Sequence, residues 1–211
     1  MAFGEEKDAR YNASLRRFSN DHDSQVISTR ALHALATVIH GEDDYVEAHR
    51  IATEGFNLFP ESVGEKRSYN MIQQIEAPSA WTTTERVWND PRPTIDVRYR
   101  NVTKIYFRLV PLDFNAQLRS TRRRPEQLDP QQRRALLARR PVKNWSVDLP
   151  KTDDYQERVE QIPSPQGIAA GPYFLIASHN ADFNDVHNQV SITEVWESKL
   201  AIVTRNHQGG G

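Results

Sequence analysis

Between Pro93 and Leu112 the chain reads PTIDVRYRNVTKIYFRLVPL, and two stretches of it alternate strictly. Ile95, Val97 and Tyr99 alternate with Thr94, Asp96 and Arg98; Ile105, Phe107 and Leu109 then alternate with Tyr106 and Arg108. Successive side chains of a strand point to opposite faces, so this period of two puts one face on a core and the other in water. The two runs are read as a hairpin turning at Arg100-Asn101. A half-buried strand pair cannot stand alone, so the chain around it has to supply further strands to cover the apolar face.

It does so on the C-terminal side of Pro78, where helix formers give way to β-branched and aromatic residues. Trp81–Trp88 (WTTTERVW) reads as a first strand, Trp145–Leu149 as another, and residues 155–162 alternate weakly. Tyr173–Ser178 (YFLIAS) is nearly all apolar, as expected of a central strand covered on both faces. Val190–Trp196 alternates again, and Leu200–Thr204 reads as a closing strand. Seven or eight short strands separated by turn residues point to an antiparallel β-sandwich.

The N-terminal part carries helical spacing instead. Ala9, Leu15 and Phe18 are loosely periodic between Glu5 and Ser19. After the polar NDHDSQ, the stripe Val26, Ala31, Leu35, Val38, Ile39 predicts a helix with Asp23 or Ser24 as N-cap, ended by Gly41. Asp43 and Asp44 open a second helix bearing Tyr45, Ala48, Ile51, Ala52, Phe56 and Leu58, stopped by Pro60. A shorter helix with Tyr69, Ile72 and Ile75 starts near Glu61 or Ser62 and ends before Pro78. From Ala31 to Ser62 the small and apolar positions resemble one tetratricopeptide repeat, in which small residues let paired helices approach closely. One repeat cannot bury both its faces, so the unit is expected to lean on the sandwich or to end a longer solenoid. The fold class is therefore α+β: TPR-like helical hairpins over 1–77, then a sandwich over 78–211.

One segment interrupts the strands. Between Leu112 and Val142 stand Arg119, Arg122, Arg123, Arg124, Arg133, Arg134, Arg139 and Arg140. Asp129 and Pro130 form an N-cap and first-turn pair for a helix over 131–138. The segment from about 113 to 142 is thus an insertion carrying a basic helix, with Leu128, Leu136 and Leu137 to hold it and a loop over 120–126 before it. The guanidinium forks suit carboxylate or phosphate, and these eight arginines are the candidate partner-binding residues. No aromatic platform is interleaved with them, which excludes nucleic acid as the partner.

Composition narrows the function classes. The net charge of the 211-residue chain is −1, so the protein as a whole is no polyanion binder. With no cysteine, it has no disulfide, thiolate metal site or thiol nucleophile. Apolar runs are strand-length, and none is long enough to cross a bilayer as a helix. MAFGEEKDAR has no apolar core of a signal peptide, and with the closing GGG the chain is expected to be a piece of a longer protein.

His179, Asp182, Asp185 and His187 gather in SHNADFNDVHN, but Asn and Asp favour turns, no EF-hand spacing is present, and the stretch is read as a loop. His33, His40 and His49 are spaced too far apart for metal ligation and are read as packing or surface residues. Asn12, Asn101 and Asn144 head N-x-S/T sequons, to which no role is given. There is no P-loop, no Ser/His/Asp arrangement and no catalytic carboxylate pair. The expectation is a non-enzyme without cofactor, metal or catalytic residue.

VRYRNVTKIYFRLVPLD, NWSVDLP, IPSPQGIAAGPYFLIASHNADF and WESKLAIVTRN, in that order, resemble the first macroglobulin-type domain of the large bacterial alpha-2-macroglobulin family. Phe59-Pro60-Glu61-Ser62 resembles the F-P-x-S that ends helical units before that domain. The resemblance runs from about Tyr11 to Arg205. It implies an Ig-like or fibronectin-like sandwich in an envelope protein that traps proteases, with neighbouring macroglobulin domains of the same chain as partners and proteases met through the full-length protein. The family's bait region and Cys-Gly-Glu-Gln thioester have no counterpart in these residues, so the resemblance transfers architecture and no reactive group. The competing expectation is a helical-repeat adaptor that binds a peptide in its groove, with the sandwich as support.

Overall fold

The computed structural model describes residues 13, 25–58, 63–115, 128–184 and 188–199. The chain is α+β and divides into two compact units, one helical and one of β-sheet, at Ala77/Pro78.

The helical unit contains α1 (Gln25–Gly41), α2 (Tyr45–Leu58) and α3 (Val63–Glu76). Asp44 Oδ1 accepts the Glu47 amide at 3.1 Å, so Asp44 is the N-cap of α2, and Asp43 before it turns the chain with φ 62°. Leu32, Leu35, Ala36, Ile39, Ala48, Ile51, Ala52 and Ile75 form the core. Small residues set its tightness: a Cβ on Gly55 would lie 3.3 Å from Leu32 Cβ, and one on Gly64 would lie 2.9 Å from the Thr29 carbonyl carbon. The residues expected to form the first helix, the N-cap Asp23 or Ser24, and the stop at Pro60 lie outside the described residues.

The β unit holds two sheets. One has β1 (Ser79–Thr84), β3 (Thr94–Arg100) and β6 (Arg158–Pro163) in the order β1-β3-β6. The other has β2 (Val87–Trp88), β4 (Lys104–Pro111), β5 (Lys143–Asp148), β7 (Gly171–Ser178) and β8 (Ser191–Glu197) in the order β2-β8-β7-β4-β5. Ile95, Val97, Tyr99 and Ile162 from the first sheet meet Trp88, Ile105, Phe107, Leu109, Tyr173, Leu175 and Val195 from the second in one shared core. Phe107 and Trp145 stack across β4 and β5 with centroids 4.9 Å apart, closing that edge. Thr82 Oγ1 and Ser191 Oγ, 3.1 Å apart, make a polar link from sheet to sheet.

Three expectations need correction. First, β3 and β4 are not a hairpin: they belong to different sheets, and Asn101, with φ 56°, turns the chain between them. Alternation reports which face of a strand is buried and is silent on which strand it pairs with. Secondly, WTTTERVW is two strands, because the chain leaves the three-stranded sheet at Glu85-Arg86 and enters the other as β2. Thirdly, the sandwich is not wholly antiparallel, since β2 pairs parallel with β8 through Val87↔Trp196 and Trp88↔Glu197. Elsewhere the pairing is antiparallel, and among sequence-adjacent strands only β4–β5 and β7–β8 pair. The run Tyr173–Ser178 occupies the middle of the five-stranded sheet and is buried on both faces.

Thr152–Gln156, which lies between β5 and β6 in the chain, belongs to the helical unit. Tyr155 adopts φ 57°, packs on the helical core and stacks on His49 with centroids 5.0 Å apart. Gln156 Nε2 donates to the Asp43 carbonyl at 2.7 Å.

Candidate functional site

The candidate site is the insertion between β4 and β5. Its helix, α4 (Pro130–Leu137), begins as the Asp-Pro pair implies. Asp129 Oδ1 accepts the amides of Gln131 and Gln132, both at 2.8 Å, and Gln132 Oε1 accepts the Asp129 amide at 3.1 Å. This reciprocal box satisfies amides that a helix start otherwise leaves open.

Helix α4 lies on the outer face of the five-stranded sheet. Leu136 is buried there with Val110, Leu112, Phe174, Ile176, Phe183 and Val190, and Leu128 and Leu137 pack beside it. Tyr106 joins the same cluster, so the face of β4 assigned to water by alternation is covered. Arg108, on that face, holds its guanidinium carbon 3.9 Å from the Phe183 ring centroid and points Nη1 at the Leu137 carbonyl, 3.4 Å away. A cation at the last turn complements the negative end of the helix dipole. Sequence reasoning missed both Arg108 and Phe183 as parts of this site, and neither alternation nor composition singles them out.

The candidate arginines divide by role. Arg133 Nη2 donates to the Val190 carbonyl at 3.0 Å, which ties α4 to the segment leading into β8. Arg134, Arg139 and Arg140 are exposed. Arg119, Arg122, Arg123 and Arg124 lie outside the described residues, as does the loop over 120–126.

A second polar centre lies at the end of β8. Arg92 grips Glu197 with two parallel bonds, Nη1–Oε1 and Nη2–Oε2, each 2.8 Å, and Nη2 also donates to the Pro165 carbonyl at 2.6 Å. A cleft beside it is lined by Asn89, Asp90, Gln166, Ser198 and Lys199. Burial, and secondarily the Glu197 charge, push the Tyr173 hydroxyl pKa up. The fork-to-fork geometry neutralises both charges internally, which makes this a structural clasp rather than an open receptor.

The histidines do not converge. His33 is half-buried in α1, His40 meets the Tyr45 ring edge-on, and His49 Nε2 lies 2.8 Å from Glu76 Oε1. In the loop after β7, Asp182 Oδ1 accepts the Asn184 amide at 3.1 Å and Oδ2 accepts from the Asn184 side chain, a local turn. Asp185 and His187 lie outside the described residues, and among those described no three His, Asp or Glu side chains group as metal ligands. No described helix is long and apolar enough to cross a membrane. No protein-family model, curated protein or solved structure matches the chain.

Proposed function

We propose that the chain is a non-catalytic framework module of a large protease-trapping protein of the bacterial envelope, similar to the alpha-2-macroglobulins. The observation that carries this reading is where the resembling motifs fall. VRYRNV spans β3 and the turn into β4, NWSVDL forms β5 with its last turn, and GPYFLIAS is the central strand β7. They supply the core of a two-sheet sandwich of macroglobulin-like, Ig-like or fibronectin-like type, and none of them supplies a reactive group. The close approaches at Gly55 and Gly64 favour a TPR-like arrangement of the helices. Neighbouring macroglobulin domains of the parent chain are the expected partners, and proteases are met only through the full-length protein.

A trap that encloses a protease leaves it able to cleave small peptides while large proteins are shut out. The native full-length polypeptide, captured from its source with an antibody to this chain, should therefore abolish tryptic digestion of a large protein and spare a small peptide substrate. The 211-residue chain alone should affect neither. One-to-one inhibition by the isolated chain, or a native polypeptide that leaves both activities untouched, overturns the proposal.

A peptide-binding adaptor is the second reading. Val46, Val63 and Tyr69 on α2 and α3 are about half exposed, which is the kind of surface a bound peptide would cover. Loss of a co-purifying protein on Tyr69→Ala, with trapping absent, would favour it.

A further inference from the structure

The arginines of the insertion are not interchangeable, and the difference lies in what each one touches. Arg133 and Arg108 hold α4 in place through the Val190 and Leu137 carbonyls and the Phe183 ring. Lys143, just beyond, donates to the Gln166 carbonyl at 2.8 Å. Arg134, Arg139 and Arg140 are exposed, and none of the three forms an ion pair with a described residue. Val142 beside them is 56% exposed, although its backbone is pinned by a 2.8 Å bond from its amide to the Leu109 carbonyl. The platform is thus rigid and its outward groups are unsatisfied. Like charges crowded near one helix end work against folding, and nothing in the packing of α4 requires them.

We infer that Arg134, Arg139, Arg140 and Val142 form a docking surface for an acidic protein segment that carries an apolar side chain among its carboxylates. Asp113–Val142 contains eight arginines and no lysine. A planar guanidinium grips a carboxylate with two parallel hydrogen bonds, which a lysine ammonium cannot do. Phosphate fits the same fork, so the surroundings decide between partners. No described aromatic side chain stands exposed beside these arginines to stack on a base, which disfavours nucleic acid. A single valine is too small an anchor for a bilayer, which disfavours a lipid surface. One exposed valine flanked by forks matches a polypeptide that alternates carboxylates with an apolar residue. Exposed ion pairs are individually weak, so binding depends on several at once and falls as salt rises. Such a surface would serve a framework module and an adaptor alike.

The test uses the full chain and a fluorescein-labelled peptide of repeated Glu-Glu-Leu, followed by anisotropy at low ionic strength. Binding is expected to weaken with salt and to vanish for a Gln-Gln-Leu peptide. Arg134→Gln/Arg139→Gln/Arg140→Gln should weaken it about tenfold or more while the melting temperature stays unchanged, because the anchors of α4 are elsewhere. The triple lysine variant keeps the charge, loses the forks, and should fall between the two. Equal binding by the glutamine variant overturns the inference. So does stronger binding, through the same arginines, to phosphatidylglycerol vesicles or to a single-stranded oligonucleotide than to the peptide.

Discussion

Arg108 on β4 lies over the ring of Phe183, 3.9 Å from guanidinium carbon to centroid, and in that position its Nη1 faces the last carbonyl of α4. One side chain thereby joins three pieces of chain that are distant in sequence: a strand, the loop after β7 and the inserted helix. Arg108→Ala should cost about 1–2 kcal/mol from the lost cation–π contact and the lost charge at the helix end. Amide exchange should quicken in α4 and change little in β3 or β6. Arg108→Lys should recover part of the loss. Uniform exchange across the β unit in the alanine variant would mean that α4 is held by its leucines alone.

Gly64 and Gly41 should respond oppositely to the same substitution. An added methyl group on Gly64 meets Thr29, including its backbone, whereas one on Gly41 meets nothing within 4 Å. Gly64→Ala should therefore destabilise the helical unit by about 1–3 kcal/mol. Gly41→Ala should be neutral or stabilising by up to about 1 kcal/mol, since it removes backbone freedom at the end of a helix. Urea denaturation followed at the helical signal distinguishes them, and equal effects would contradict the close approach of α3 to α1.

Phe107 and Leu175 face the shared core of the two sheets, each 1% exposed. Truncating either to alanine should cost about 2–5 kcal/mol, transfer and cavity effects together. A variant melting within about a degree of wild type would place the strand register one residue out, because such a slip exchanges the two faces.

His33 should make the helical unit sensitive to acid. Burial, with the Arg67 charge second, lowers its pKa from the ordinary 6.5, so the fold favours the neutral ring. As pH falls, the unfolded chain takes up the proton first. The stabilisation is therefore complete above the unfolded pKa and is lost as pH falls from there through the lower folded value. Melting temperature should drop from about pH 7 to pH 5 more steeply in wild type than in His33→Gln, which carries no titrating ring. Equal slopes would show that the carboxylates alone account for the loss.

Much of this architecture is written locally. Period-two runs mark β3, β4 and β8, and an unbroken apolar run marks the central strand β7, because backbone geometry ties side-chain spacing to burial whatever the neighbours are. Gly41, Asp44 and the Asp129-Pro130 pair delimit helices, since capping satisfies amides within a few residues of the signal. The arginine-rich insertion, too, is legible as composition.

The sequence by itself therefore determined where the strands and helices lie and which faces carry apolar side chains. Tertiary structure alone decided that β3 and β4 part into different sheets, that β2 runs parallel to β8, and that the second face of β4 lies under α4. Pairing is chosen among distant segments by the shape of the whole core, and alternation within one strand holds no record of its neighbour. The same reason separates Arg108 and Arg133, bound to carbonyls of the fold, from Arg134, Arg139 and Arg140, which stand in water. A guanidinium reads identically in sequence whether a carbonyl or solvent receives its hydrogen bonds, and only the packing of α4 on the sheet tells which.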